Sequence, residues 1–366
     1  MERTLRKAVI IGLGLIGGSI AKSLRRGYRD CYITAINRSS EGGQTALREN
    51  IINKFYNELS EDCLNNIEGS EIVFLCTELH SSKNIIDILM KNFENKETII
   101  TDVCSTKAEI NDIFQNSKTK VNFIGGHPMA GSEKSGYRNS SEFLLENAVY
   151  ILCPSENTDK KDIDFMKNII SSTGAIPYVM DAYTHDGVLS QISHLPHITA
   201  SALVNTASSY GNAEILNSLA AGGFKDITRI ASGDPGLWEN IIMSNKNNVI
   251  DSIDELINNL NLFRNAIENS DKDELRSLLN KAKNSREAYE TGRKTIMNLM
   301  YELNIDVPDK PGSIAGITAK LTENKINIKN IYIAESRENE TGCMRLAFES
   351  KEARDAAASV LGVVLC

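Results

Sequence analysis

The stretch "KAVIIGLGLIGGSIAKSL" near the amino terminus constrains the fold more than any other part of the chain. An apolar run leads straight into Gly12, Gly14 and Gly17, spaced as GxGxxG, and a helix-forming run follows. A strand that turns so sharply into a helix needs the first glycine for the turn. The second lets a pyrophosphate approach the backbone, and the third lets helix and strand pack closely. Leu15 and Ile16 fall in the first helical turn, whose free N–H groups and dipole favour phosphate. The pattern predicts a Rossmann-type dinucleotide site, with Thr77, at the end of "EIVFLCT", a further candidate beside it.

The rest of the chain extends this start. Between residue 7 and about 180, apolar runs alternate with helical stretches: "KAVIIG", "CYITAIN", "EIVFLCT", "ETIITDV", "NFIGG", "AVYILCP" and "IPYVM". Several are apolar at consecutive positions, as strands buried on both faces should be. The expectation for residues 1–180 is an α/β, doubly wound parallel sheet. Helical periodicity then persists over residues 181–298, an all-helical domain with one long irregular stretch, "AAGGFKDITRIASGDPGLW". Its apolar helices are too many to bury alone, which predicts a homodimer. Residues 299–366 read as a small α+β module in βαββαβ order.

Composition excludes several roles. A net charge of −8 and a pI near 5.4 argue against nucleic acid or an anionic membrane as partner. No apolar run approaches the length of a membrane span. The basic-then-apolar start imitates a signal peptide, but its glycine spacing reads as the first strand and helix of a fold. Seven scattered cysteines, none in a CxxC or zinc spacing, suggest reduced thiols in a cytoplasmic protein, with neither disulfides nor metal expected. The small-molecule reading therefore leads.

The second strand ends "AINRSS", where an NAD site usually carries a carboxylate for the ribose 2′-OH. Asn37 is uncharged there and Arg38 follows, so either NAD or NADP is compatible: Arg38 could hold a 2′-phosphate, stack on adenine or face solvent. A nicotinamide enzyme also needs a base for the substrate hydroxyl, and histidine titrates in the right range. Of five histidines, His80, His127, His185, His194 and His197, His127, in "GGHPMAGSEKSG", follows the strand "NFIGG" at its carboxyl end. Ligands of open α/β sheets bind there, which makes His127 the candidate base.

The segments "GLGLIGGS", "TDVCSTK", "GGHPMAGSEKSG", "THDGVLSQISHLPH" and "GGFKDITRIASGDPGLW", over about residues 7–295, resemble the prephenate dehydrogenases of the bacterial tyrosine pathway in order and spacing. The segment "VPDKPGSIAGITAKL" resembles an ACT domain. The resemblance implies oxidative decarboxylation of prephenate to 4-hydroxyphenylpyruvate and CO2. His127 takes the hydroxyl proton and Ser105 sits between that histidine, the hydroxyl and the nicotinamide. Arg229 binds a substrate carboxylate with Lys225 as a second cation, and His197 recognises the pyruvyl side chain. His185 and His194 support these residues, while Ser132 and Glu133 lie at the mouth. In the ACT module the turn at Asp309, Pro311, Gly312 and Ile314 would take an effector, tyrosine being the expected one.

Plainer roles stand beside these. Ser105 could cap a helix beginning near Lys107, Arg229 could pair with Asp226, Trp238 could fill core, and the effector turn could belong to a dimerisation unit without ligand. His194 and His197, three apart, could chelate a metal, but no further ligand stands at suitable spacing. The rival functions are an arogenate dehydrogenase, a β-hydroxyacid dehydrogenase, and a nucleotide-loaded sensor without catalysis.

Overall fold

The computed structural model describes residues 3–92, 97–117, 121–131, 134–296, 301–308, 310–334 and 341–363. The chain divides into two compact units, Met1–Glu268 and Asn269–Cys366. The first is built on an eight-stranded sheet: β1 (Lys7–Ile11), β2 (Tyr32–Ile36), β3 (Lys54–Tyr56), β4 (Ile72–Leu75), β5 (Ile99–Asp102), β6 (Asn122–Pro128), β7 (Val149–Pro154) and β8 (Ile176–Val179). Their order is β3-β2-β1-β4-β5-β6-β7-β8, so the direction of winding switches between β1 and β4. The switch point is where open α/β sheets open a crevice at the carboxyl ends of their strands.

Alternate residues of each strand feed two separate cores. Ala8 and Ile10 pack with Ile33 and Phe74 on one face, while Val9 and Ile11 pack with Val73 and Leu75 on the other. This is why the runs are apolar at consecutive positions: both faces are covered by helices and neither side chain direction meets water.

Two features depart from the sequence reading. The three-residue β3 is too short to leave a pattern, yet it pairs in parallel with β2 from Lys54 to Tyr56. The sheet is parallel from β3 to β6, but β7 lies antiparallel to β6, and β8 runs parallel to β7. The cause is the connection: between β6 and β7 the described chain forms only one short 3-10 turn, Tyr137–Asn139. A crossover helix is the usual means of bringing a chain back parallel to its predecessor, and an antiparallel return needs none.

The helical part of this unit comprises Ala182–Leu189, a π turn at Ser190–His194, then Leu195–Ser208, Ala213–Leu219, Gly222–Thr228, Pro235–Ser244 and Lys246–Glu268. The stretch expected to be irregular is instead mostly short helices, with a 3-10 turn at Arg229–Ser232. Asp234 makes the next helix possible, its carboxylate accepting from Leu237 N at 2.8 Å. On a single chain Leu219, Ile227, Met243, Leu260 and Ile267 are all exposed.

In the second unit, helix Lys272–Ile296 precedes β9 (Tyr301–Pro308), helix Ser313–Glu323, β10 (Asn330–Ala334), β11 (Thr341–Phe348) and helix Lys351–Leu361. The sheet order is β10-β11-β9, antiparallel throughout. Leu303, Ile305 and Val307 point to a core with Leu321, Met344 and Phe348. The final strand expected in "GVVLC" falls partly outside the described residues. Among those residues, no helix is long and apolar enough to cross a membrane.

Candidate functional site

The glycine turn lies at the carboxyl end of β1. Gly12 has φ +99°, and a Cβ there would overlap the Cys76 carbonyl at the end of β4. A Cβ on Gly17 would overlap the Gly12 carbonyl and press on Cys76. Around Gly14, by contrast, a Cβ would meet nothing within 4 Å. Helix Leu15–Gly27 starts there with no side chain capping its first N–H groups, Leu15 and Ile16 forming its opening residues. Two glycines are thus required by packing and the third leaves a cradle open, which fits a pyrophosphate against the helix terminus.

Asn37 braces this turn. Its Oδ1 accepts from Leu13 N at 3.1 Å and its Nδ2 donates to the Ser39 carbonyl at 3.0 Å. Arg38 is exposed and forms no ion pair among the described residues. Thr77 stands just beyond β4, its hydroxyl 2.9 Å from that of Ser82.

His127 occupies the penultimate position of β6 rather than a loop, paired with Ile151 of β7. Its Nδ1 shares a hydrogen with His185 Nε2 at 2.9 Å, and His185 Nδ1 lies 2.7 Å from Asp186 Oδ1. The Asp186 carboxylate also accepts from Lys107 N at 2.8 Å and Ala108 N at 2.9 Å. It therefore caps helix Ala108–Asn116 from a distant segment. Ser105 does not cap that helix, and its hydroxyl has no partner among the described residues.

Because Asp186 is a carboxylate, His185 must donate to it from Nδ1. His185 Nε2 then accepts from His127 Nδ1, which leaves the lone pair of His127 on Nε2. That nitrogen has no partner among the described residues, while the ring is 9% exposed. Burial holds His127 well below the usual histidine range, and the neighbouring His185, Lys107 and His194 push the same way. The ring is neutral and proton-accepting at neutral pH.

On the sheet side, Asp102 at the end of β5 accepts from Gly126 N at 3.0 Å, from Cys104 N at 3.0 Å and from the Lys107 ammonium. Both charged residues are fully buried. Breaking such a pair from one side typically costs about 3–5 kcal/mol.

Asn245 Nδ2 donates to the Asp186 carbonyl at 2.7 Å and lies 3.2 Å from His194 Nδ1, so His194 keeps Nε2 buried and unpartnered. The π turn ending at His194 is a local distortion of the helix, with Pro196 two residues beyond it lacking the N–H that would continue a regular ladder. His197 Nδ1 is likewise buried without a partner. Trp238 is only half-buried and stacks on His197 at 3.6 Å between ring centroids, so it walls this region instead of filling core. Lys225 and Arg229 are exposed on the helix and 3-10 turn just before, and Arg229 does not pair with Asp226. Ser132 and Glu133 lie outside the described residues, as does Asp309 in the second unit. There Pro311 and Ile314 are exposed around Gly312, whose φ of +90° opens the following helix.

Three of the buried histidines bear on stability. Burial lowers the pKa of His194 and His197 as well as His127. In the unfolded chain each binds a proton near pH 6.5, whereas the folded rings stay neutral to lower pH. Stability is therefore complete above about pH 6.5 and declines below it, each ring contributing up to about 1.4 kcal/mol per pH unit. Urea melts from pH 7.5 to 5 should show this decline; a flat profile would contradict it.

A cleft of about 1440 Å³ lies at the opposite edge of the sheet, but its arginines are taken, Arg3 by Asp162 and Arg6 by Glu71. The open cradle and the unpartnered ring nitrogens are at the carboxyl edge.

An open phosphate cradle and a buried, supported histidine, at the carboxyl ends of β1 and β6, define a dinucleotide-dependent dehydrogenase of Rossmann type. Three family models match: the nucleotide-binding domain of prephenate dehydrogenase over residues 20–179, its dimerization domain over 181–281, and the ACT domain over 301–357. A prephenate dehydrogenase of Bacillus subtilis is 38% identical, covering 94% of this chain and 93% of that one. The chain belongs to the prephenate dehydrogenase family. Among solved structures, the A. aeolicus prephenate dehydrogenase in complex with hydroxyphenyl propionate and NAD+ is 32% identical with a TM-score of 0.71, covering 79% of this chain and all of that one. A Synechocystis arogenate dehydrogenase is 28% identical with a TM-score of 0.69, covering 77% and 99%.

Proposed function

We propose that this protein oxidises prephenate to 4-hydroxyphenylpyruvate and CO2 with NAD+ or NADP+, supplying L-tyrosine synthesis in the cytoplasm. The observation that carries this reading is the run Asp186–His185–His127, which ends on an imidazole nitrogen without a partner among the described residues, at the same carboxyl edge of the sheet as the glycine turn. Gly12, Gly14 and Gly17 with Leu15 and Ile16 would hold the pyrophosphate, while Asn37, Arg38 and Thr77 border the rest of the nucleotide. When bound, the nicotinamide accepts hydride from the carbinol carbon of the substrate.

The chain's own residues do the remainder. His127 Nε2 takes the hydroxyl proton as the carbinol becomes a carbonyl, and Ser105, whose hydroxyl is unengaged among the described residues, orients that oxygen. The imidazolium so formed can pass its Nδ1 proton to His185, where the Asp186 carboxylate stabilises the charge. Arg229 and Lys225 hold the substrate carboxylates, and His197, backed by Trp238, receives the side chain with His194 behind it. Loss of the ring carboxylate as CO2 yields an aromatic ring, which makes the sequence strongly downhill. Ser132 and Glu133 are assigned to the rim.

The exposed apolar residues of the helical segment suit a second copy of the chain, in keeping with the dimerization-domain match. The ACT module would bind tyrosine at Asp309, Pro311, Gly312 and Ile314 and so lower flux when product accumulates. One experiment tests the reading: reduced-dinucleotide formation with prephenate and with arogenate, using NAD+ and NADP+, with and without tyrosine. Turnover of prephenate, inhibited by tyrosine, is the expected result. Turnover of arogenate alone would replace the substrate, and absence of any turnover would overturn the reading.

A further inference from the structure

Lys107 and Asp102 are charged and at most 1% exposed, yet no step of the proposed reaction uses either. A buried ion pair is weak evidence for stability, because desolvation offsets most of the attraction. What distinguishes this pair is where its hydrogen bonds go. Asp102 Oδ1 accepts from Gly126 N, the residue before His127, at 3.0 Å. Its Oδ2 accepts from Cys104 N, the residue before Ser105, also at 3.0 Å, and from the Lys107 ammonium. One carboxylate thus fixes the backbone leading into both groups that would face the substrate hydroxyl.

Lys107 connects this to the other side of the site. Its side chain engages Asp102 while its main-chain N–H donates to Asp186 at 2.8 Å, the carboxylate that orients His185 and hence the His127 ring. The glycines before His127 are shaped to the pair. A Cβ on Gly125 would sit 3.1 Å from Lys107 Cδ, and one on Gly126 would overlap the Asp102 carbonyl.

We propose that Asp102 and Lys107 are positioning residues for the reaction: together they set His127 against Ser105 from the sheet side, and Lys107 locks that placement to the Asp186–His185 support. This rests on the reading of His127 as the base. The charged and titratable groups acting on His127 are His185, Lys107 and His194, with Asp186 bonded to His185 and Asp102 to Lys107 behind them.

The test uses the full chain with Lys107→Met and with the pair Asp102→Asn/Lys107→Met, which leaves no lone buried charge. In Lys107→Met, kcat should fall by about 10²-fold, the usual penalty for a reacting group misplaced by an ångström, while KM and dinucleotide affinity change little. The acid limb of kcat/KM should move to higher pH, because the lysine cation no longer opposes protonation of His127. The double variant should melt cooperatively yet stay slow, since Asn offers one acceptor oxygen for the Gly126 and Cys104 N–H groups that Asp102 meets with two. A folded double variant with parental kcat would overturn the proposal, as would a Lys107→Met protein that loses thermal stability alone with its pH limb unmoved. Imidazole nitrogen shifts of His127, followed by NMR, need no turnover. A parental protein inactive on prephenate would therefore defeat the functional reading, while a shifted His127 titration in Lys107→Met would still uphold the positioning role.

Discussion

His127→Asn is expected to lower kcat with prephenate by about 10²- to 10⁴-fold, the usual worth of a positioned general base. Asparagine can still donate toward His185 Nε2 from nearly the place of the lost Nδ1. It keeps that partnership and removes only the nitrogen lone pair. Dinucleotide affinity should hold, because the glycine cradle is separate from the ring. The single tryptophan, Trp238, stacks on His197 and offers a fluorescence signal for ligand titrations. Equal losses in kcat and dinucleotide affinity would contradict a role confined to proton transfer.

Asp186→Asn should be nearly as damaging by a different route. An asparagine whose NH2 takes the place of Oδ1 can still accept from Ala108 N but not from Lys107 N, so the helix cap weakens by about 0.5–2 kcal/mol. Its NH2 group, however, turns toward His185 Nδ1, which must then accept instead of donate. His185 Nε2 becomes the donor, His127 Nδ1 the acceptor, and the His127 proton moves to Nε2, where the base needs its lone pair. An enforced wrong tautomer of this kind lowers kcat by up to about 10⁴-fold in a serine protease triad. Steady-state kinetics and thermal melts on the same preparation separate the effects: a large loss of kcat with a small loss of stability is expected, and parallel losses would defeat the tautomer argument.

The glycine turn was legible because each of its residues answers a local steric demand, and the doubly buried strands were legible because both faces are covered. What stayed hidden was long-range. Lys54–Tyr56 is a strand only because β2 offers it an edge, and the reversal at β7 depends on what the β6–β7 connection does not contain. Ser105 looks like a helix cap in sequence, since serine before a helical run is a common cap, but the acceptor is Asp186, 79 residues beyond Lys107. The motif "THDG" placed His185 near the site; only the fold shows that the aspartate beside it orients the ring. Asp102 and Lys107 lie within "TDVCSTK", yet nothing in their spacing announces that their charges are buried. Trp238 reads as core in sequence because hydrophobicity alone does not distinguish a wall from a filling.

His127 and the ring that supports it are 58 residues apart, one carried by a strand and the other by the helical segment. The imidazole alone, in a chain that had folded only its sheet, would lack the partner that fixes which nitrogen holds the proton. Competence for chemistry is therefore a certificate of completed folding: a half-assembled molecule carries the histidine but cannot yet use it.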